Sequence, residues 1–244
     1  MKNFVSIAVL CLALLGAGCK KNGPQKDAFA DKSSAVCIWD KTSLQATPEK
    51  KGKWLSSIAL GEKLTFLEET KEVQEGGKKV SYYKVSLLDG KEGWVRSDFV
   101  AVGASVAVIF DKTDIYSRPD LATITKNFFE ATDIVAVKST QEGWTEVVGK
   151  RKAGKWIETA WIKNKNLSFD ATNIAVALYV RRALAKPKKE DQIAELRKIT
   201  ENSDLSGSVF EDMINEILVA HDEANSQIQD LELTTDPADD TTSE

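Results

Sequence analysis

The chain has 244 residues, 42% of them hydrophobic and 29% charged, which excludes collagen-like, wholly disordered and multi-pass membrane proteins. Its 33 basic and 37 acidic side chains leave a net charge of −4, so no global basic field holds it on nucleic acid. Three cysteines and one histidine leave no ligand set for a zinc site and little room for a hydrolytic triad, so no metal, no cofactor and no enzymatic activity are expected.

Residues 1–18 begin with Met1-Lys2, continue through an apolar stretch from Phe4 to Leu15, and end in Gly16-Ala17-Gly18 before Cys19. A basic start, a short apolar core and small residues before a cut describe a secretory signal. The core falls short of the roughly 20 residues a membrane span needs. The small residues directly before Cys19 resemble a bacterial lipobox of the looser, spirochaete kind. That resemblance implies cleavage before Cys19, a covalent lipid on that residue, and a chain held at a membrane of the cell envelope, the outer one favoured because Lys20-Lys21 lack acidic retention residues. Cys37 is then the only thiol left, and packing alone must stabilise the fold. Residues 19–33 carry Gly23, Pro24 and several lysines, the composition of a flexible tether.

From residue 34 the chain repeats itself. Trp39-Asp40-Lys41-Thr42-Ser43-Leu44-Gln45-Ala46-Thr47-Pro48 and Phe110-Asp111-Lys112-Thr113-Asp114-Ile115-Tyr116-Ser117-Arg118-Pro119 share the pattern aromatic-Asp-Lys-Thr-x-aliphatic-x-x-x-Pro without a gap. Leu64-Thr65-Phe66-Leu67 answers Ile134-Val135-Ala136-Val137, Tyr82-Tyr83-Lys84-Val85 answers Trp144-Thr145-Glu146-Val147, and Trp94-Val95 answers Trp161-Ile162. A period near 70 residues is too long for a solenoid and marks a duplicated small domain, residues 34–102 and 103–168. Short β-branched and aromatic runs, separated by Gly76-Gly77 and Asp89-Gly90, predict antiparallel strands joined by tight hairpins and closed into small barrels. In the second copy, Gly149-Lys150-Arg151-Lys152-Ala153-Gly154-Lys155 replaces Asp89-Gly90 and predicts a longer, basic, exposed hairpin tip.

Leu60-Gly61-Glu62-Lys63-Leu64, Tyr82-Tyr83-Lys84-Val85, the Asp89-Gly90 turn and Gly93-Trp94-Val95 together resemble the bacterial SH3 (SH3b) family. The second copy keeps Gly143-Trp144 and Trp161-Ile162, but has Ala160 and Ala131-Thr132-Asp133 where the family places glycines. The resemblance implies two tandem SH3-like barrels that bind a wall peptide, glycan or protein without catalysis. All six tryptophans fall in this region. Trp94 and Trp161 are assigned to the cores. Trp39, Trp156, Tyr83 and Tyr116 are the candidates for an exposed aromatic binding groove, Tyr83 rather than Tyr82 because alternation turns only one of the pair inward.

Beyond residue 168 the period changes from 2 to 3.6. Helices are predicted over about 171–185, capped by Asp170 or Thr172; after Lys186-Pro187, with Ile193, Leu196 and Ile199 on one face; and after Ser208, with Phe210, Met213, Ile214, Ile217 and Leu218 as a stripe. The run Ile174–Val180 is apolar all round and is assigned to a buried helix. Residues 169–229 therefore form a helical bundle or a cap on the second barrel. From Asp222 to Glu244 there are eight acidic residues and no basic one, and residues 230–244 read as a disordered acidic tail. Without residues 1–18 and this acidic stretch, 32 basic groups face 29 acidic ones. The overall acidity belongs to the tail. His221 is placed at a helix surface and Cys37 in a barrel core, so the two do not form a nucleophile pair.

The fold class is thus mainly β then α. The function expected is a lipid-anchored envelope binding protein whose partners are the membrane and a wall or envelope ligand. A scaffold acting through the helices, or an adhesin using Lys150, Arg151 and Lys152, stand as alternatives.

Overall fold

The computed structural model describes residues 31–234, with side chains described as far as residue 227. The signal peptide, Cys19, most of the tether and residues 235–244 lie outside the described residues. No described helix is long and apolar enough to cross a membrane.

The β part is two seven-stranded antiparallel sheets. The first holds β1 (Ser34–Cys37), β2 (Thr42–Gln45), β3 (Trp54–Ile58), β4 (Lys63–Glu75), β5 (Lys78–Ser86), β6 (Glu92–Arg96) and β7 (Val100–Val102). The second holds β8 (Ser105–Ile109), β9 (Thr113–Tyr116), β10 (Ile124–Phe129), β11 (Ile134–Gln141), β12 (Trp144–Gly149), β13 (Glu158–Lys163) and β14 (Leu167–Ser168). The strand orders are β3-β2-β6-β5-β4-β1-β7 and β10-β9-β13-β12-β11-β8-β14. Adding seven to each label of the first order gives the second. Registers agree as well: Tyr82 pairs with Arg96 and Lys84 with Trp94, as Trp144 pairs with Lys163 and Glu146 with Trp161.

Each sheet closes over its own core, so each must curl. The first core takes Cys37, Leu44, Ile58, Leu64, Val85, Val95 and Val100, one residue from each of its seven strands. Contact among side chains from both ends of an open strand order is possible only if the sheet bends into a half-barrel. The second core is built alike from Ile109, Ile115, Phe129, Val135, Val147 and Ile162, with Leu167 packed against it.

A third core joins everything. Outward Val36 of β1 and Ile38 just after it, with Val106 and Val108 of β8 and Ile134 and Ala136 of β11, share one apolar cluster with Val176 and Val180 of α1 (Ala171–Leu184), Leu196 of α2 (Lys189–Glu201), Ile214 of α3 (Glu211–Thr234) and Phe210 just before it. Strands covered on both faces read as unbroken apolar runs, which accounts for Ala35–Ile38, Val106–Ile109 and Ile134–Val137. Each such side chain, fully buried, contributes about 1.5–3 kcal/mol. The helices pack on one another, α1 on α2 and α2 on α3, and α1 seats the group on the strands. Lys138 also donates from its ammonium to the Val102 carbonyl, a polar tie between the sheets.

The helix starts follow local chemistry. Asp170 caps α1, its Oδ1 accepting from the Asn173 amide at 3.0 Å. Before α3, Ser208 Oγ accepts from the Phe210 amide at 3.3 Å, and the Glu211 carboxylate accepts from the Gly207 amide.

Three expectations need correction. The run Ile174–Val180 is not buried all round: Tyr179 is exposed, because α1 rests on strands along one side only. The acidic stretch is not wholly outside the fold, since α3 carries Asp222, Glu223, Asp230 and Glu232 as far as Thr234. The Asp89-Gly90 hairpin has positive φ at Gly90 alone, and the two-residue turn with both central residues at positive φ is instead Gly76-Gly77 (φ 57° and 80°).

Candidate functional site at the seam of the two half-barrels

Strand alternation decides which aromatics can meet a ligand. Val95 and Ile162 point inward. Their neighbours Trp94 and Trp161 therefore lie on the outer faces: Trp94 is buried there, 8% exposed, as assigned, whereas Trp161 is only half-buried and belongs to no core, which corrects its assignment. On the outer face of the second sheet Tyr116 is 8% exposed and stands edge-on to Trp144, with ring centroids 4.8 Å apart. Lys163 Nζ covers the Trp144 ring at 3.6 Å. Tyr116 is thus sealed by its neighbours and offers no free face.

Tyr83 is also removed from an open groove. It lies half-buried, edge-on to Phe66 at 5.0 Å and packed against the first core. Tyr82 is fully buried on the opposite face, where its hydroxyl donates to Glu75 Oε1 at 2.7 Å. Burial and that carboxylate hold the phenol well above its ordinary titration range.

Trp39 remains. It sits half-buried in the β1–β2 turn and stacks on Phe99 at 5.5 Å with an interplanar angle of 25°. Lys150, from the hairpin between β12 and β13, places its ammonium 4.7 Å from the Trp39 ring centroid, and the Arg96 guanidinium lies 5.2 Å from that of Phe99. Two aromatic rings and two cations, drawn from both sheets, form a partly exposed stack at the seam. Arg96 Nε is buried without a hydrogen-bond partner among the described residues, an orphaned donor inside the stack. The same turn supplies Asp40 and Lys41 to a groove of about 550 Å³, whose other wall is Leu178, Arg181 and Arg182 of α1. Sequence reasoning found Trp39 but missed Phe99, Arg96 and the groove, because their meeting depends on how the two sheets are set against each other. No local pattern encodes that.

Trp156 stands apart. It is 78% exposed in the β12–β13 hairpin, and no aromatic ring among the described residues stacks on it. Trp54, 60% exposed at the start of β3, is a further surface indole that the sequence reading did not single out.

Below the seam a buried carboxylate fixes the hairpin that delivers Lys150. Asp133 is wholly buried; it accepts from the Lys152 amide at 2.9 Å, the Glu130 amide at 2.9 Å and the Arg181 guanidinium at 2.9 Å. One side chain thereby ties β11, the hairpin and α1 together. Burial raises its pKa above the ordinary 3.8, against the lowering effect of the Glu130 amide and of Arg181.

Cys37 lies in the first core, its Sγ 3.1 Å from the Trp39 carbonyl, and burial pushes the thiol pKa up. His221 is on α3 beside Asp222 and Asn225. Among the described residues no three His, Cys, Asp or Glu side chains cluster as a metal site would require.

No protein-family model matches the chain. No curated protein matches it either. Among solved structures it is similar to NlpC2 from Trichomonas vaginalis, at 12% identity and a TM-score of 0.23 over 70% of this chain and 57% of that one. It is also similar to NlpC1 from the same organism, at 10% identity and a TM-score of 0.23 over 64% and 54%. The chain thus spans little more than half the length of these proteins. A TM-score of this size assigns neither activity nor ligand.

Proposed function

We propose that the chain is a lipid-anchored binding protein of the bacterial cell envelope, built on two SH3b-like half-barrels, that holds a wall peptide, glycan or protein at the seam without chemical change. The observation that carries this reading is the Trp39–Phe99 stack with its two cations, assembled from both sheets beside a groove and set on a shared apolar core. A half-buried indole accepts the apolar face of a sugar ring or a peptide side chain. Lys150 supplies charge for a carboxylate, while Arg96, over the Phe99 ring, is already paired with Asp98 and braces the stack. The third core keeps these parts in register before the ligand arrives, which lowers the ordering cost of binding. Cys19 behind its Gly-Ala-Gly run supplies the anchor in this reading, and the outer membrane is the favoured location.

Retention on purified peptidoglycan, compared with capture of envelope proteins, tests the reading. Residues 20–244, which contain every described element and all three cores, should be retained on the wall. Trp39→Ala should lose that retention. Capture of an envelope protein that survives Trp39→Ala but fails when the exposed side of α1 or α3 is changed would replace the seam with the helices. Radiolabelled palmitate should enter the wild-type chain and not Cys19→Ser.

A further inference from the structure

The hairpin between β12 and β13 does more than deliver Lys150. Its residues divide by partner: Lys150 lies over Trp39, and Arg151 pairs with Glu158 in a half-buried bridge. Lys152 and Lys155 are exposed and have no carboxylate partner among the described residues. Between these two and the strand stands Trp156, the most exposed indole of the described chain. The tip is also held firmly. Gly154 donates to the Arg151 carbonyl at 2.9 Å, and the Lys152 amide donates to the buried Asp133.

The corresponding hairpin of the first sheet shows what the elaboration adds. There the link between β5 and β6 is a short turn in which Lys91 pairs with Asp89 at 3.4 Å, so the tip is close to neutral. Its exposed apolar side chain is Leu88, 84% exposed. Both copies present an apolar residue at this place, but only the second surrounds it with uncompensated cations and replaces the aliphatic side chain with an indole.

We propose that this hairpin is a membrane-contact site, which lays Trp156 into the headgroup region of an anionic bilayer while Lys152 and Lys155 meet lipid phosphates. A small ligand requires a concave surface. A rigid projection fits instead a soft, continuous phase into which it can sink. An indole suits the boundary between water and hydrocarbon, and each nearby lysine adds attraction to an anionic leaflet. The fourteen residues from Lys20 to Ser33 span at most about 50 Å, so a chain anchored at Cys19 keeps this tip within reach of the same bilayer. The contact does not depend on the lipid, nor on the ligand held at the seam.

The test is co-sedimentation of residues 20–244 with vesicles of phosphatidylcholine alone and of phosphatidylcholine with 30% phosphatidylglycerol. Binding should require the anionic lipid. It should weaken about fivefold for each of Lys152→Ala and Lys155→Ala, and about tenfold for Trp156→Ala. Trp156→Phe should recover part of the loss. All three sites are exposed, so thermal melts of the four variants should match wild type. Bilayers containing brominated acyl chains should quench the fluorescence of wild type more than that of Trp156→Ala. Equal sedimentation of the variants, no binding to either vesicle, or loss of peptidoglycan retention in Trp156→Ala would each overturn the proposal, the last by returning the hairpin to the wall ligand. Retention lost in Trp39→Ala with vesicle binding intact concerns the seam alone, so the two readings fail separately.

Discussion

The turn before β4 and its counterpart before β11 hold one backbone in two chemistries. In the first sheet Gly61 takes φ 78°, its amide donating to the Cys37 carbonyl at 2.8 Å; in the second Thr132 takes φ 74°, and its amide donates to the Ile109 carbonyl at 2.8 Å. Glu62 then accepts from the Ala59 amide at 2.8 Å, as Asp133 accepts from the Glu130 amide at 2.9 Å. The shorter carboxylate is the one that is buried, and it takes on Arg181 and the Lys152 amide as well. Duplication supplied a turn whose hydrogen bonds are closed. The second copy kept those bonds, tolerated a β-branched residue in the left-handed region, and used its acid to tie on a helix and a long hairpin. The first half-barrel is the plainer unit, and the second carries the attachments.

The largest effect that separates the two should come from the acids. Asp133→Ala leaves Arg181 and two amides without their partner and should cost about 3–5 kcal/mol in urea unfolding, whereas Glu62→Ala, which frees one half-buried amide, should cost about 1 kcal/mol. Equal losses would mean that Asp133 holds nothing beyond its own turn. Next comes the strand glycine. A Cβ on Gly93 would sit 2.7 Å from the Gln45 carbonyl oxygen and from Leu44 Cγ, so Gly93→Ala should cost about 1–3 kcal/mol. The second sheet already holds Ala160 at the matching place, so Ala160→Gly should cost only about 0.5–1 kcal/mol. Thr132→Gly should stabilise by about 1 kcal/mol by relieving the left-handed backbone, read as a rise in the urea midpoint with an unchanged slope.

The smallest effect is on pH dependence. Because burial raises the Asp133 pKa, the folded chain takes up this proton while the unfolded carboxyl is still ionised. The pH-dependent part of its contribution is fully present below the ordinary 3.8 and is lost as pH rises through the folded value, while its hydrogen bonds to Arg181 and the two amides are made by the carboxylate above it. Wild type should therefore gain on Asp133→Asn as pH falls through that window. A difference that is flat with pH would show that the carboxylate is not desolvated.

The repeat was legible because six positions of a gapless ten share side-chain types that serve the same turn and strands, and strand order and register repeat with them. The helix starts were legible through Asp170 and Ser208, whose side chains bond the first free amides. What escaped was the sidedness of the aromatics. Trp94 and Trp161 sit in β-rich context on the outer faces of their sheets, where Trp94 is buried and Trp161 half-buried, and where lysine stems such as that of Lys163 cover neighbouring rings. Tyr116 was lost to a binding groove because Trp144 closes over it on the outer face, and Tyr83 because it packs with Phe66 against the first core. The third core left a signal in the unbroken apolar runs of β1, β8 and β11, yet which surface covers their second face depends on the helices, more than 60 residues away for β8 and further for β1. The seam stack is legible only through that packing, since Trp39 and Lys150 are 111 positions apart.

A fluorescence titration of residues 20–244 with solubilised wall fragments tests the proposed ligand site at the seam most directly. Saturable binding that is abolished by Trp39→Ala, weakened by Lys150→Ala and unchanged by Trp156→Ala and Trp54→Ala is the predicted result. Wall binding that persists undiminished in Trp39→Ala, or no binding by the wild-type chain, would contradict it.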